Sequence, residues 1–530
     1  MFIDLRNLPD SQTIDADICI VGAGAAGITL AMELLGHDFK IALLESGGLE
    51  FEDDIQNLND GACVSEQQVD LLWSRLRYFG GTTGHWGGNC GPLDELDFKE
   101  RPWVPNSGWP FQKAELEKFY PKAYRYCELP SDNFSPDYWA EKVPQFGQGR
   151  IAVDHESITE KLFLRSPPTR FGEVYREALA RDGSGCTVYL HANVVEIETG
   201  PDAGQVESLL TKGLDGKTRR FTSKIYILAS GIENARLLLL SNRVRPNGLG
   251  NDHDNVGRYF MAHTTLRTGR ALLSIPDETI KLYKTRGFEN FRSEDLPMID
   301  VLQPTPKAQE AERMLNCVVF FEQSYEGERS PGFAAIRRIL RHLSYGRMPD
   351  KLGEELTTIV GDLDTVAKAL YARAFRDDKY RLLQTRYFSE QAPNPDSRIT
   401  LGEERDALGL NKMVLDWRLG DLDKHTILCT QELLARQFGA LGLGRIQVEF
   451  EDQSDPWPSG VDSSAHYMGT TRMHKDPRRG VVDENCRVHG IENLYVAGGS
   501  VFPTTGATMV TVNIVAMAAR LADHLRSKLA

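Results

Sequence analysis

The chain is poor in cysteine and shows no cysteine pattern. Its eight Cys are scattered over 530 residues, with neither a CxxC nor a CxxCH. This excludes a zinc ribbon, a redox dithiol and an attached c-type haem. Cys486 and His489 have a ligand-like spacing but no second pair, so they read as structural and no metal is expected. Without a disulfide framework, the expected compartment is the cytoplasm. Long apolar runs are lacking too. Stretches such as Ile225–Ala229 and Ile514–Ala519 are too short to span a bilayer, so no transmembrane segment is expected. The N-terminal MFIDLRNLPD lacks the basic segment and apolar core of a secretory signal. Positive charge is also short: 61 Lys and Arg face 75 Asp and Glu, a net charge of -14. No basic tail offsets it, which argues against a nucleic-acid partner. Internal repeats and low-complexity tracts are absent.

What is present begins with Asp15–Ser46, DADICIVGAGAAGITLAMELLGHDFKIALLES. Ile18–Val21 is a short β-branched run, and Lys40–Leu44 reads as a second strand. Gly22, Gly24 and Gly27 form GxGxxG at the turn into a helix. Gly22 permits the turn, Gly24 admits a pyrophosphate close to the backbone, and Gly27 lets helix and sheet approach. Ala23, Ala25 and Ala26 fill the remaining positions of the turn, and the helix N-terminus favours the phosphate charge. Glu45, ending the second strand, can accept from both hydroxyls of an unphosphorylated ribose. The motif alone leaves FAD and NAD open.

A second glycine-rich segment, Arg77–Pro92, holds six glycines from Gly80 to Gly91 around Thr82, Thr83, His85 and Trp86. Such backbone can lie flat against a planar or polyanionic ligand. Lys113–Cys127 has helical spacing that Pro121 should kink or divide. Thr187–Glu198 reads as a strand around Asn193. Val206–Leu210, Arg219–Thr222 and Lys224–Ala229 continue a strand-rich region. The last runs through Ser230 and Gly231 into a helix over Ile232–Ser241, a second strand–turn–helix. Phe333–Arg347 is a basic amphipathic helix with Ile336, Ile339, Leu340 and Leu343 on one face, read as a solvated helix rather than a membrane contact. Arg381–Leu401 and Met413–Leu419 alternate as strands. Leu494–Ala497 is a buried strand, followed by a helix over Val510–Leu525.

Six motifs in order carry a family resemblance: GAGAAG with Glu45, GGTTGHWGG, ILASGIENARLLLLS, EQAPNPDSRITL, the HxxGTxxM of His466–Met473, and VAGGSVFPTTG. The chain resembles the glucose–methanol–choline (GMC) oxidoreductases, closest to bacterial sugar and polyol dehydrogenases. The resemblance implies an α/β fold, with a discontinuous Rossmann-like FAD-binding domain and an α+β substrate domain on an antiparallel sheet. The FAD-binding domain is expected over 1–100, 150–259 and 463–530, and the substrate domain over 101–149 and 260–462.

The same resemblance implies FAD rather than NAD. It assigns Glu45, with Ser46 beside it, to the adenosine ribose, and Val194, Ala229 and Ser230 to the adenine end. Arg77, Gly81, Thr82, Thr83, His85, Trp86, Gly87 and Gly88 are expected beside the flavin, and Gly498 and Val510 near it from the closing segment. His85 matches a histidine that some members bond covalently to the flavin. His466 is expected as the catalytic base in the oxidation of a small-molecule alcohol, with oxygen, a quinone or a protein carrier as electron acceptor. The family's second catalytic residue, Asn or His, aligns with Met509, which offers only a weak sulfur acceptor. Thr508 and Asn513 are the nearby polar alternatives. Met509 also supports a second reading: a flavoprotein without ordinary alcohol oxidation, acting redox-neutrally on a specialised substrate or serving in a complex.

Overall fold

The computed structural model describes residues 1–530 except 276–283, 286–296, 324–329, 345–347, 350–351, 376–381, 451, 455, 459 and 530. Its first layer is a six-stranded sheet with every pairing parallel. The strand order is Phe2–Asp4, Cys186–Leu190, Ile41–Leu44, Ile18–Val21, Ile225–Leu228, Leu494–Val496. Ile18–Val21, Ile41–Leu44 and Ile225–Leu228 are buried at every position. That is why they read as unbroken apolar runs: both faces of a parallel sheet are covered. The Ala25–Leu34 helix packs on the sheet and meets the closing helix Val510–Leu529. Strands that reach this sheet come from residues 2 and 496, so its core joins the two ends of the chain.

The Thr187–Glu198 strand of the sequence reading is two strands in two sheets. Cys186–Leu190 belongs to the parallel sheet, whereas Val194–Thr199 edges a four-stranded sheet with Val206–Lys212, Thr218–Thr222 and Gln12–Asp15. The break falls at His191, whose φ is 56°. Pro121 divides its helix as expected, into Lys113–Glu117 and Tyr120–Tyr126.

An eight-stranded sheet forms the other layer, antiparallel apart from the short Lys284–Thr285 strand. Its period-two alternation separates two faces. Leu302, Val319, Phe321 and Tyr387 pack with Ile427, Leu434 and Phe438 of the Asp421–Ala440 helix. Phe163, Ile299, Val301, Val318, Phe320 and Phe388 pack on the opposite face with Ala507 and Met509. Ile158–Arg165 and Asn89–Cys90 are strands of this sheet. They lie inside stretches that the sequence division gives to the dinucleotide domain. The Arg381–Leu401 stretch resolves into Leu382–Ser389 and Arg398–Arg405; Arg381 lies outside the described residues. The basic helix runs over Pro331–Ser344, and 345–347 lie outside the description. Phe333 and Ala335 are buried, Phe333 against Val366 and Ala369, while Leu340 and Leu343 of the expected apolar face stay exposed.

Candidate active site

One cavity of about 480 Å³ runs between the two main sheets. The phosphate turn forms one wall with Gly22, Ala23, Gly24, Ala25 and Ala26, and a Cβ built on Gly24 meets nothing within 4 Å. Gly24 therefore faces open cavity space that any side chain would fill. Gly27, which the resemblance assigns with Gly22 and Gly24 to the pyrophosphate, lies outside the lining and packs against the turn. A Cβ there would approach the Gly22 carbonyl oxygen to 1.9 Å.

At one end Glu45 is buried, its Oε2 accepting from the Ala23 N–H at 3.0 Å and its Oε1 from the Gly47 N–H at 3.0 Å. Burial pushes its carboxyl upward, opposed by these bonds and by Arg77. Oε1 also accepts from the Ser46 hydroxyl at 3.3 Å, which leaves Oε2 with acceptor capacity for a ribose hydroxyl. Asn193 and Val194 line the same cavity, and among the described residues neither amide atom of buried Asn193 has a hydrogen-bond partner. A buried amide without partners is costly, so these orphaned atoms suit a polar ligand such as a nucleoside.

Arg77 also belongs to this end. Its Nε donates to Asn59 Oδ1 at 2.6 Å and its guanidinium meets Ser46 Oγ at 3.3 Å and Glu233 at 3.2 Å. Arg77 lines the same cavity, and its guanidinium contacts the neighbour of Glu45. Sequence reasoning missed its companions. Arg75 meets Glu233 at 2.6 Å, and Arg236 bridges Glu233 at 3.4 Å and Asp406 at 2.7 Å. Despite burial, the three guanidiniums hold the Glu233 carboxyl far below its usual range. Three cations on two carboxylates suit a polyanion.

The second glycine-rich loop supplies Gly81, Thr82, Thr83, His85, Trp86, Gly87 and Gly88, and Ala229, Ser230, Gly498 and Val510 complete the lining. Burial, with the Arg170 guanidinium, lowers the His85 imidazole to about 4, so it is neutral near pH 7. Trp86 is fixed by its Nε1–H donating to the Thr169 carbonyl at 2.8 Å.

His466 and Met509 line the same cavity, with Phe388 and Arg386 of the antiparallel sheet. Ser464 and Ala465, both left-handed with φ of 50° and 54°, bend the chain just before His466. Burial lowers its imidazole to about 4, leaving it neutral. Its ring meets Phe388 edge-on at 5.9 Å. Arg386 lies at 4.1 Å over the Phe320 ring with its Nε 2.7 Å from Glu322. Neither residue was singled out from sequence, because strand alternation marks a face without saying what lies opposite it.

Asn513 and Thr508 are not part of the lining, which corrects their candidacy. Asn513 Oδ1 accepts from Tyr120 Oη–H at 2.7 Å and the Leu93 N–H at 3.2 Å; its Nδ2 donates to the Gly91 and Met509 carbonyls, both at 3.0 Å. Thr508 Oγ1 donates to the Gly91 carbonyl at 2.8 Å. Both tie the closing segment to the loop strand; the Asn513 amide is fully used there and Thr508 has spent its one donor.

A Rossmann-type turn, a buried acid after the second strand, an orphaned amide and a neutral histidine in one cavity suit a dinucleotide-dependent enzyme. Residues 393–518 match the family described as GMC oxidoreductase. The fructose dehydrogenase large subunit of Gluconobacter japonicus is 22% identical, over 98% of this chain and 99% of its own. The 6'''-hydroxyparomomycin C oxidase of Streptomyces lividus is 23% identical over 97% and 92%. The crystal structure of pyridoxine 4-oxidase from Mesorbium loti superposes with a TM-score of 0.56 at 17% identity, covering 97% of this chain and 99% of that one. The chain is thus similar to the GMC oxidoreductases, by the family match over residues 393–518 and by relatives aligned over nearly its whole length, and its cofactor is FAD.

Proposed function

We propose that the protein oxidises a secondary alcohol of a sugar, glycoside or other polyol-like small molecule, with His466 as the base. The observation that carries this reading is the placement of neutral His466 on the wall of the cavity that the Gly22–Ala26 turn and Glu45 also line. Several relatives bear names of this substrate class, including the fructose dehydrogenase and, over 125 residues at 33% identity, a C-glycoside 3-oxidase of Microbacterium trichothecenolyticum.

The phosphate turn and Glu45 hold the dinucleotide, and His85 with the Gly81–Gly88 loop lies along it. When bound, FAD supplies the hydride acceptor for the carbinol carbon. His466 takes the hydroxyl proton as the C–H bond breaks, so no free alkoxide accumulates. Phe388 and Met509 exclude water from that corner, which strengthens every polar contact made there. Met509 provides no donor to the hydroxyl, so orientation falls to other groups around the substrate.

Anaerobic mixing with a panel of sugars, glycosides and polyols tests the proposal. Bleaching of the oxidised-flavin absorbance by at least one member is expected. Bleaching by none would favour the redox-neutral or subunit reading that Met509 supports.

A further inference from the structure

His263 was absent from every candidate set drawn from sequence. It immediately precedes the Thr264–Leu273 strand and is fully buried. Met261 and Met468 form an antiparallel bridge, with N–H to O distances of 3.0 and 2.8 Å. Two residues along each strand from that bridge, the register sets His263 opposite His466. The His263 ring stacks on Phe388 with centroids 4.4 Å apart and meets His466 edge-on at 5.2 Å.

The hydrogen bonds settle which ring nitrogens carry protons. His263 Nε2 lies 2.9 Å from the Gly506 carbonyl oxygen and 3.3 Å from that of Thr505. Carbonyl oxygens only accept, so Nε2 must be protonated. Burial, and the nearby His466 and Lys161, disfavour a second proton on the ring, and His263 is neutral with an unprotonated Nδ1. That Nδ1 lies 3.0 Å from the Nδ1 of His466. The contact needs one proton, and it has to belong to His466. In neutral His466 the Nε2 is then the unprotonated nitrogen.

We propose that His263 is a positioning residue that holds His466 in its Nδ1–H tautomer, leaving Nε2 as the basic atom of the active site. The inference rests on the assignment of His466 as the base. Free imidazole side chains favour the opposite tautomer, in which Nε2 carries the proton and could only donate to an alcohol. The Gly506 carbonyl thus dictates the tautomer of His263, and His263 dictates that of His466. An outer partner that fixes ring orientation and tautomer is a recurrent way of making an imidazole basic at its other nitrogen.

Nitrogen NMR of ¹⁵N-histidine-labelled holoenzyme tests this, with the His466 signals identified by their loss in His466→Gln. A pyrrole-type Nδ1 and a pyridine-type Nε2 are expected for His466. His263→Phe keeps an aromatic ring against Phe388 but removes the acceptor. It should move His466 toward the Nε2–H tautomer and slow anaerobic flavin reduction by about 10–100-fold with FAD retained. His263→Asn, which can again offer an acceptor, should recover part of that loss. An Nε2–H tautomer in the wild type, or an unchanged tautomer in His263→Phe, would overturn the proposal. An Nδ1–H tautomer in an enzyme that no alcohol reduces would support the positioning role and overturn the substrate reading instead.

Discussion

Gly81 and Gly24 touch across the cavity: a Cβ built on Gly81, whose φ is 53°, would lie 3.1 Å from the Gly24 Cα. The two glycine-rich segments can approach this closely because Gly81 carries no side chain at the crossing. The Gly22–Ala26 turn and the second loop, more than fifty residues apart in the chain, line one cavity.

Gly24→Val should separate binding from folding. The added Cβ enters open cavity space with no protein atom within 4 Å, so the thermal melting curve of the apoprotein should be preserved while FAD is lost. Gly27→Val drives a side chain into the Gly22 carbonyl and should impair folding itself. The check is flavin absorbance alongside thermal unfolding of both variants. A yellow, fully loaded Gly24→Val would show that the pyrophosphate does not approach this turn.

His85 lines the cavity with a neutral, nucleophilic imidazole. Acid precipitation separates two arrangements: a covalent link between this ring and the flavin leaves the flavin in the pellet, and His85→Ala then releases it, whereas non-covalent packing leaves it in the wild-type supernatant. Wild-type flavin found wholly in the supernatant would remove the link.

The pH dependence of flavin reduction should report His466. Its imidazole is lowered to about 4, and only the neutral form accepts a proton. The His466 contribution is therefore constant above about pH 5 and is lost as pH falls through about 4. Replacing His466 with Ala should lower the reduction rate by about 10²–10⁴-fold and abolish that acidic limb, with FAD still bound. Stopped-flow reduction over pH 3.5–8 (roughly one unit around the limb and upward, by the logic of a single titrating base) provides the comparison. An unaltered limb in His466→Ala would assign it to another group.

Met509 and Asn513, one helical turn apart, should behave oppositely. Met509→Asn places a polar group in the cavity and should change substrate preference or reduction rate without loss of FAD. Asn513→Leu removes the acceptor of the buried Tyr120 hydroxyl, while the Leu93 N–H keeps Tyr120 Oη and the Gly91 carbonyl keeps Thr508, at about 1–3 kcal/mol for the unsatisfied hydroxyl. It should lower the melting temperature and leave substrate preference alone. Kinetics and thermal melts on both variants decide it, and altered preference in Asn513→Leu would return that residue to the site.

Much of this protein was legible along the chain. Glycine spacing, β-branched runs and a terminal acid are local signals, because a tight turn, a buried parallel strand and a ribose acceptor each need particular residues within a few positions. Pro121 divided its helix for an equally local reason, the fixed φ and absent N–H of proline. The cavity lining drawn from ordered motifs likewise follows from residues adjacent in sequence to those turns. The His263–His466 pair spans 203 residues, and the Arg75, Arg77 and Arg236 cluster on Glu233 joins two distant segments. Asn513 looked available until Tyr120, Leu93 and Gly91 were found to consume its amide. Periodicity tells which face of an element is buried, but not what packs there. Only the assembled fold sets the hydrogen-bond complement of a polar side chain, and with it which histidine nitrogen is basic.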